Sequence, residues 1–276
     1  MALKEWMDFA CYLARTSGAL LLERMDTMRT IDRKSTRSDL VTDADRASEA
    51  LLVQEIRRSY PTHRILGEEG TGSTDDLHQK GLLWVIDPLD GTVNYAHHLP
   101  MYAVSIGLLH DGVPQVGVVY LPVMDEIFCA GVGMGTTRNG IAVRVSDCVA
   151  LSDAVVATGY PYDKHIDARD NVENTARMIK LVRGFRRMGA ASVDLAYVAC
   201  GRLDAYWEEK LQPWDLAGGL LLVQEAGGQI TGYDGGPCGL LAGHVVAAGP
   251  ALHPHVLDVL QPYAQKHGIV GNLKSV

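Results

Sequence analysis

Three short acidic segments lie in apolar surroundings where solvated charge is not expected: Gly67-Glu68-Glu69-Gly70, Asp87-Pro88-Leu89-Asp90-Gly91-Thr92 and Trp214-Asp215. Asp87 closes a strand-like run (Trp84, Val85, Ile86), Pro88 stiffens the exit, and Asp90 returns beside Gly91, a residue that lets backbone come close to a ligand. Two carboxylates on such a turn can face one point. At ~4 Å and an effective dielectric of ~20 they repel by ~4 kcal/mol, so the pair must share a proton or hold a cation. An all-oxygen donor set favours Mg²⁺, Mn²⁺ or Ca²⁺ over zinc. If a helix starts after Gly91, the free amides of Gly91 and Thr92 form an anion site. Carboxylates for a metal beside amides for a phosphate describe phosphoryl transfer or hydrolysis. An acidic turn that merely caps a helix meets the same spacing, so the pattern needs support from elsewhere in the chain.

The elements that must position these residues are legible as hydrophobic periodicity. Residues 3–22 place Leu3, Trp6, Phe9, Leu13 and Leu20 at helical spacing. Thr42 or Asp43 can cap a second helix over about 44–59, which puts Asp45 in its first turn, and Pro61 stops it. Leu82–Ile86, Tyr102–Leu109, Val113–Leu121 and Glu126–Ala130 read as a strand followed by a meander, with a turn at Asp111-Gly112. The second half alternates: strands at Ala154–Thr158, Leu203–Trp207, Gln229–Thr231 and Val245–Ala248, and helices over about 168–182, 190–200, 214–226 and 251–266. A soft boundary falls near 145–152. It divides an N-terminal α+β half, 1–147, with most of the acidic candidates from a C-terminal α/β half, 148–276, with Asp215.

Composition narrows the classes. The chain has 276 residues with 25 Lys+Arg against 33 Asp+Glu, a net charge of −8, which makes nucleic acid an unexpected main ligand. No apolar run approaches the ~20 residues of a membrane span. Lys4, Glu5 and Asp8 stand where a secretory h-region is uncharged. The five cysteines are scattered and form no C-x-x-C pair, which fits a reducing cytoplasm.

Trp84–Pro100 (WVIDPLDGTVNYAHHLP) together with Trp214–Gly228 (WDLAGGLLLVQEAGG) resembles the paired signatures of the inositol monophosphatase family. Gly67-Glu68-Glu69 resembles the family's upstream metal-binding segment, and Leu40–Asp45 its N-terminal Asp-bearing segment. The resemblance runs in order from about residue 5 to 260. It implies a layered α-β-α-β-α sandwich and a Mg²⁺-dependent, Li⁺-sensitive phosphomonoesterase with two or three ions per site, for which Mn²⁺ can substitute. By the same resemblance Glu68, Asp87 and the Leu89 carbonyl bind a first ion, and Asp87, Asp90 and Asp215 a second. A third, weaker ion sits near Glu68, which also counts among the catalytic groups. Thr92 with Asp45 orients and deprotonates the attacking water, the amides of Gly91 and Thr92 cradle the phosphate, and Ala191 and Glu208 contact the sugar or polyol. Family members are commonly homodimers, and their substrates are small phosphate esters.

Myo-inositol 1-phosphate, or a related polyol or sugar phosphate, is the expected substrate. Fructose-1,6-bisphosphatase, histidinol-phosphate phosphatase and 3′-phosphoadenosine 5′-phosphate phosphatase activities share this metal core, and a non-catalytic metal- or anion-binding regulator is the alternative from another class. A regulator has no need for a hydroxyl such as Thr92 beside two metal sites. Thr136-Thr137-Arg138 departs from the apolar step that many relatives carry before Asn139-Gly140, which affects a turn more than the site. Residues 70–80, polar and Gly/Ser/Thr-rich, read as a mobile loop near the site. His97-His98 read as rim or surface residues, Arg183, Arg186 and Arg187 as a solvated or interface face with steering of an anionic substrate as the alternative, Cys200 as a packing residue and Glu225 as structural.

Overall fold

The computed structural model describes residues 2–25, 31–33 and 40–269. Helix α1 (Ala2–Met25) precedes an antiparallel pair, β1 (Ile31–Arg33) and β2 (Leu40–Thr42), which leads into α2 (Asp43–Ser59). A side-chain cap by Thr42 lies outside the described residues. Strand β3 (Arg64–Gly67) pairs in parallel with β4 (Leu82–Asp90), and after the short α3 (Thr92–Ala96) come β5 (Ala103–His110), β6 (Val113–Leu121), β7 (Glu126–Gly131), β8 (Thr136–Arg138) and β9 (Ile141–Val143). These seven strands form one sheet in chain order, antiparallel from β4 onward.

The second half contributes β10 (Val155–Thr158), α4 (Val172–Met178), β11 (Gly184–Arg186), α5 (Ala191–Ala199), β12 (Ala205–Glu209), α6 (Pro213–Glu225), β13 (Gln229–Thr231), β14 (His244–Ala248) and α7 (His253–Lys266). Its five-stranded sheet has the order β11-β10-β12-β14-β13, with β10 parallel to both neighbours and β14 antiparallel to both of its own. Helices α1 and α2 cover one face of the larger sheet. Helices α5 and α6 lie between the sheets, and α4 and α7 close the outer face of the smaller one. The result is the five-layer α-β-α-β-α sandwich. A central sheet covered on both faces buries both sides of its strands, so β4 and β5 read as continuous apolar runs and not as alternation.

Sequence and structure differ in three places. The helix expected over 168–182 is confined to α4, because Asn171 takes a left-handed backbone (φ +63°) and its buried side chain binds the Thr158 hydroxyl, the Gly159 carbonyl and the Trp207 indole. The 70–80 segment is organised: Ser73 caps a 3₁₀ turn at Thr74–His78, Leu77 is buried, and the Arg64 guanidinium donates to the carbonyls of Asp76, Gln79 and Lys80. The short strands β3, β8, β9 and β11 carry too few residues to show a period. No helix among the described residues is long and apolar enough to cross a membrane.

Candidate active site

The end of β4 is where the fold makes its site. A register shift separates Asp87, opposite Ser105, from Asp90, opposite Ala103, so one extra residue bulges out at Pro88-Leu89. Such a bulge redirects side chains that regular pleating would send to opposite faces. The Ser48 hydroxyl holds the Pro88 carbonyl at 2.9 Å, and the Leu89 amide donates to Asp87 Oδ1 at 3.0 Å. Gly91 then turns the chain with φ +93°. A Cβ there would press on the Met101 carbonyl and on Ala190, so both the conformation and the space call for glycine. Thr92 opens α3, so the helix anticipated after Gly91 forms.

Helix α2 brings its own acids. Asp45 is fully buried, and its Oδ2 lies 3.3 Å from Thr92 Oγ1, which is also 3.1 Å from the Leu89 carbonyl. Carboxylate oxygens of Asp45, Glu68 and Glu69 lie within 4.8 Å of one another. One turn further along α2, Glu49 receives the Glu69 amide at 2.7 Å and the Thr71 hydroxyl at 2.7 Å, which pins the strand exit that carries Glu68. Glu49 was missed in the sequence. The signal was its i,i+4 spacing from Asp45, which places both carboxylates on one face of the helix.

Asp215 comes from the first turn of α6, where its Oδ2 accepts the Gln212 amide at 2.6 Å. Asp90 Oδ2 accepts both the amide (2.7 Å) and the hydroxyl (2.5 Å) of Ser192 in α5. A cavity of about 500 Å³ is bordered by Glu68, Asp87, Leu89, Asp90, Gly91, Thr92, Ala191, Glu208 and Asp215. All the anticipated metal and substrate candidates therefore face one void, with Asp45 reaching it through Thr92.

Burial and mutual repulsion set the electrostatics. Burial pushes the Asp87 carboxyl well above the usual range, helped by Glu68, Asp90, Asp215 and Asp45. Asp215 rises well above it for the same reasons, burial first, then Asp90 and Glu68. Asp90 rises less freely, because the Ser192 donors favour its charged form against burial. Glu208, at the end of β12, is pushed up to about 7 by burial, against a 2.6 Å hydrogen bond from the Tyr206 hydroxyl and the pull of Arg187. Its carboxylate occupies the space a side chain at Gly159 would need.

The other candidates sort by place. Arg183 pairs with Asp153 on the surface, and Arg186 donates to the Phe185 carbonyl. Arg187 borders the cavity, which for this one cation favours the anion-steering alternative over a solvated face. The neighbouring cations were separated by the path of β11, which no local pattern announces. His97 and His98 are exposed. Glu225 accepts the amides of Gly133 and Gly135 and so braces the turn before β8, and Asn139-Gly140, both at positive φ, joins β8 to β9.

A pocket lined by inward-facing, all-oxygen carboxylates that repel one another, next to a helix start with free amides, fits divalent cations and a phosphate. Fold and site together define a metal-dependent phosphatase. Residues 2–265 match the inositol monophosphatase family, and the chain belongs to that family as a phosphoric monoester hydrolase of its type. It is 39% identical over 260 residues to an inositol-1-monophosphatase of Synechocystis sp., covering 94% of this chain and 89% of that protein. It is 42% identical over 262 residues to the Nus factor SuhB of Pseudomonas aeruginosa, covering 93% and 96%. The structure of inositol monophosphatase from Anabaena (Nostoc) sp. superposes with a TM-score of 0.85 at 40% identity, over 95% of this chain and 97% of that one.

Proposed function

We propose that the chain hydrolyses myo-inositol 1-phosphate, or a closely related polyol or sugar phosphate, to the free alcohol and phosphate in a Mg²⁺-dependent reaction. The single observation that supports this reading most is the shared cavity of about 500 Å³, which joins clustered carboxylates, the Thr92 hydroxyl backed by Asp45, and a half-buried Glu208. In this reading Glu68, Asp87 and the Leu89 carbonyl hold one ion, and Asp87, Asp90 and Asp215 another. When bound, such ions supply Lewis acidity to the phosphoryl oxygens and to water. Asp45 accepts a hydrogen bond from the Thr92 hydroxyl, which leaves the Thr92 oxygen free to accept one from water; as the water attacks, its proton passes to Thr92 Oγ1 and the Thr92 proton passes to Asp45. The Gly91 and Thr92 amides receive phosphate oxygens, Glu208 accepts hydroxyl protons of the alcohol, and Ala191 shapes the wall beside it.

Both halves of the chain take part in this proposal, 1–147 with the water-activating pair and most ligands, and 148–276 with Asp215 and the alcohol contacts. A cytoplasmic homodimer inhibited by Li⁺ completes it, following the family resemblance. Arg187 on the cavity wall is the observation that favours the second reading, an ester with a further anionic group such as 3′-phosphoadenosine 5′-phosphate or fructose 1,6-bisphosphate. Phosphate release from a panel of these esters, with Mg²⁺ and with excess chelator, tests the proposal. Preferred hydrolysis of inositol 1-phosphate supports it, preference for a bisphosphate selects the second reading, and full activity in chelator overturns the metal-dependent mechanism.

A further inference from the structure

We propose that Ser192 is a positioning residue for the metal centre: its hydroxyl and amide together fix one oxygen of Asp90 and so hold that carboxylate in one orientation toward a divalent cation. This inference rests on the metal-dependent reading above. Both donors converge on Asp90 Oδ2, the amide at 2.7 Å and the hydroxyl at 2.5 Å, and the amides of Ala191 and Val193 point the same way. Helix α5 has no side-chain cap of its own, since Ala190 occupies the N-cap position. Its unsatisfied first-turn amides take the Asp90 carboxylate from the end of β4 as their partner.

The hydroxyl has no use within the helix. Ser192 is fully buried in a first turn of small and apolar residues, Ala191 before it and Val193 after it, where alanine would support the helix at least as well. The beneficiary is the carboxylate. Asp87 and Asp215 are each restrained by a backbone amide, of Leu89 and Gln212, which no substitution of that residue's side chain removes. Asp90 adds a side-chain donor, and an O–H to carboxylate bond of this length belongs to the strong, charge-assisted kind. Two donors on Oδ2, with the amides of Ala191 and Val193 on the same carboxylate, restrain the orientation of Asp90 before an ion arrives.

Calorimetric titration of the full chain with Mg²⁺ alone, without substrate, tests this with wild type, Ser192→Ala, Ser192→Cys, Asp90→Asn and Asp90→Asn/Ser192→Ala. Alanine is smaller than serine and cysteine somewhat larger, and both lose the strong donor, so a loss shared by the two variants comes from the donor and not from packing. Removing an outer-shell donor should weaken Mg²⁺ binding about tenfold in both single Ser192 variants. In the Asp90→Asn background the same Ser192→Ala change should have no further effect. Unchanged affinity in Ser192→Cys, or an equal further loss in the Asp90→Asn background, overturns the positioning role while leaving the metal-dependent reading intact. Absence of Mg²⁺ binding by the wild type overturns that reading and this inference with it.

Discussion

Thr92 Oγ1 and Asp45 Oδ2, 47 residues apart in sequence, meet at 3.3 Å inside the protein, one at the start of α3 and the other in the first turn of α2. Thr92 is not an expected metal ligand, so its role separates from ion binding. Thr92→Ala should lower kcat by about two orders of magnitude, in the range for loss of a proton-transfer group, while the Mg²⁺ affinity stays near that of wild type. Steady-state kinetics beside a Mg²⁺ titration check this, and wild-type turnover in the variant would remove Thr92 from water activation.

Asp90 and Asp215 reach the cavity from different layers, at the ends of β4 and α6, yet should act on one ion. Asp90→Asn and Asp215→Asn are each expected to weaken Mg²⁺ binding by about tenfold or more, since a ligand should cost at least what its outer-shell partner does. On the proposal that Mg²⁺ binds the folded chain and not the unfolded one, wild type at 100 times its dissociation constant should gain ~2.7 kcal/mol, read as a rise in Tm that excess chelator reverses. The gain should shrink at the same Mg²⁺ concentration in both variants. A Tm indifferent to Mg²⁺ in wild type would contradict the cluster's purpose.

The cluster also fixes a sign for the pH dependence of the metal-free protein. Asp87, Asp90, Asp215 and Glu208 all hold their protons to higher pH when folded than when unfolded. The folded state then binds more protons, so stability falls as pH rises. For Glu208 the loss begins above its ordinary value of 4.5 and is complete once pH passes about 7. Buried His244 and His253, whose pKa values burial lowers, act in the opposite direction below pH ~6.5. Comparing wild type with Glu208→Gln in chelator isolates one group: the variant's Tm advantage should grow between pH 5 and 7, by several degrees for a shift worth on the order of 3 kcal/mol. A constant difference across that range would refute the raised Glu208 value.

The parts of the site legible in sequence were those carried by contiguous residues. Asp87 and Asp90 declare themselves by their turn, and Glu68 and Asp215 by charge in apolar surroundings. What tertiary contact alone creates stayed hidden: the Ser192 hydroxyl on Asp90, the Glu49 brace beneath Glu68, and the placement of Arg187 on the cavity wall apart from Arg183 and Arg186. The fold followed the same division. Long periodic helices, the meander and β13 were visible, whereas the short strands β8, β9 and β11 and the break at Asn171 depend on partners far along the chain.

Substrate class turns on Glu208. Its carboxyl borders the cavity beside Ala191, is held by the Tyr206 hydroxyl at 2.6 Å, and has a backbone glycine, Gly159, making room for it. With a value near 7 in the metal-free site, it can meet a polyol as acceptor in its ionised form, and a charge-assisted hydrogen bond of that kind contributes ~1.5–3 kcal/mol. Lost, this corresponds to roughly tenfold to a hundredfold in binding. Glu208→Ala should therefore raise KM for inositol 1-phosphate by at least about tenfold, and leave hydrolysis of a phosphate ester without vicinal hydroxyls nearly unchanged. Arg187→Ala should have the opposite selectivity: little change with inositol 1-phosphate and a loss with esters bearing a second phosphate. Equal losses on both kinds of ester in Glu208→Ala would mean that the residue supports the cavity wall without reading hydroxyls. A wild-type preference for 3′-phosphoadenosine 5′-phosphate that disappears in Arg187→Ala would replace the polyol assignment with the bisphosphate one.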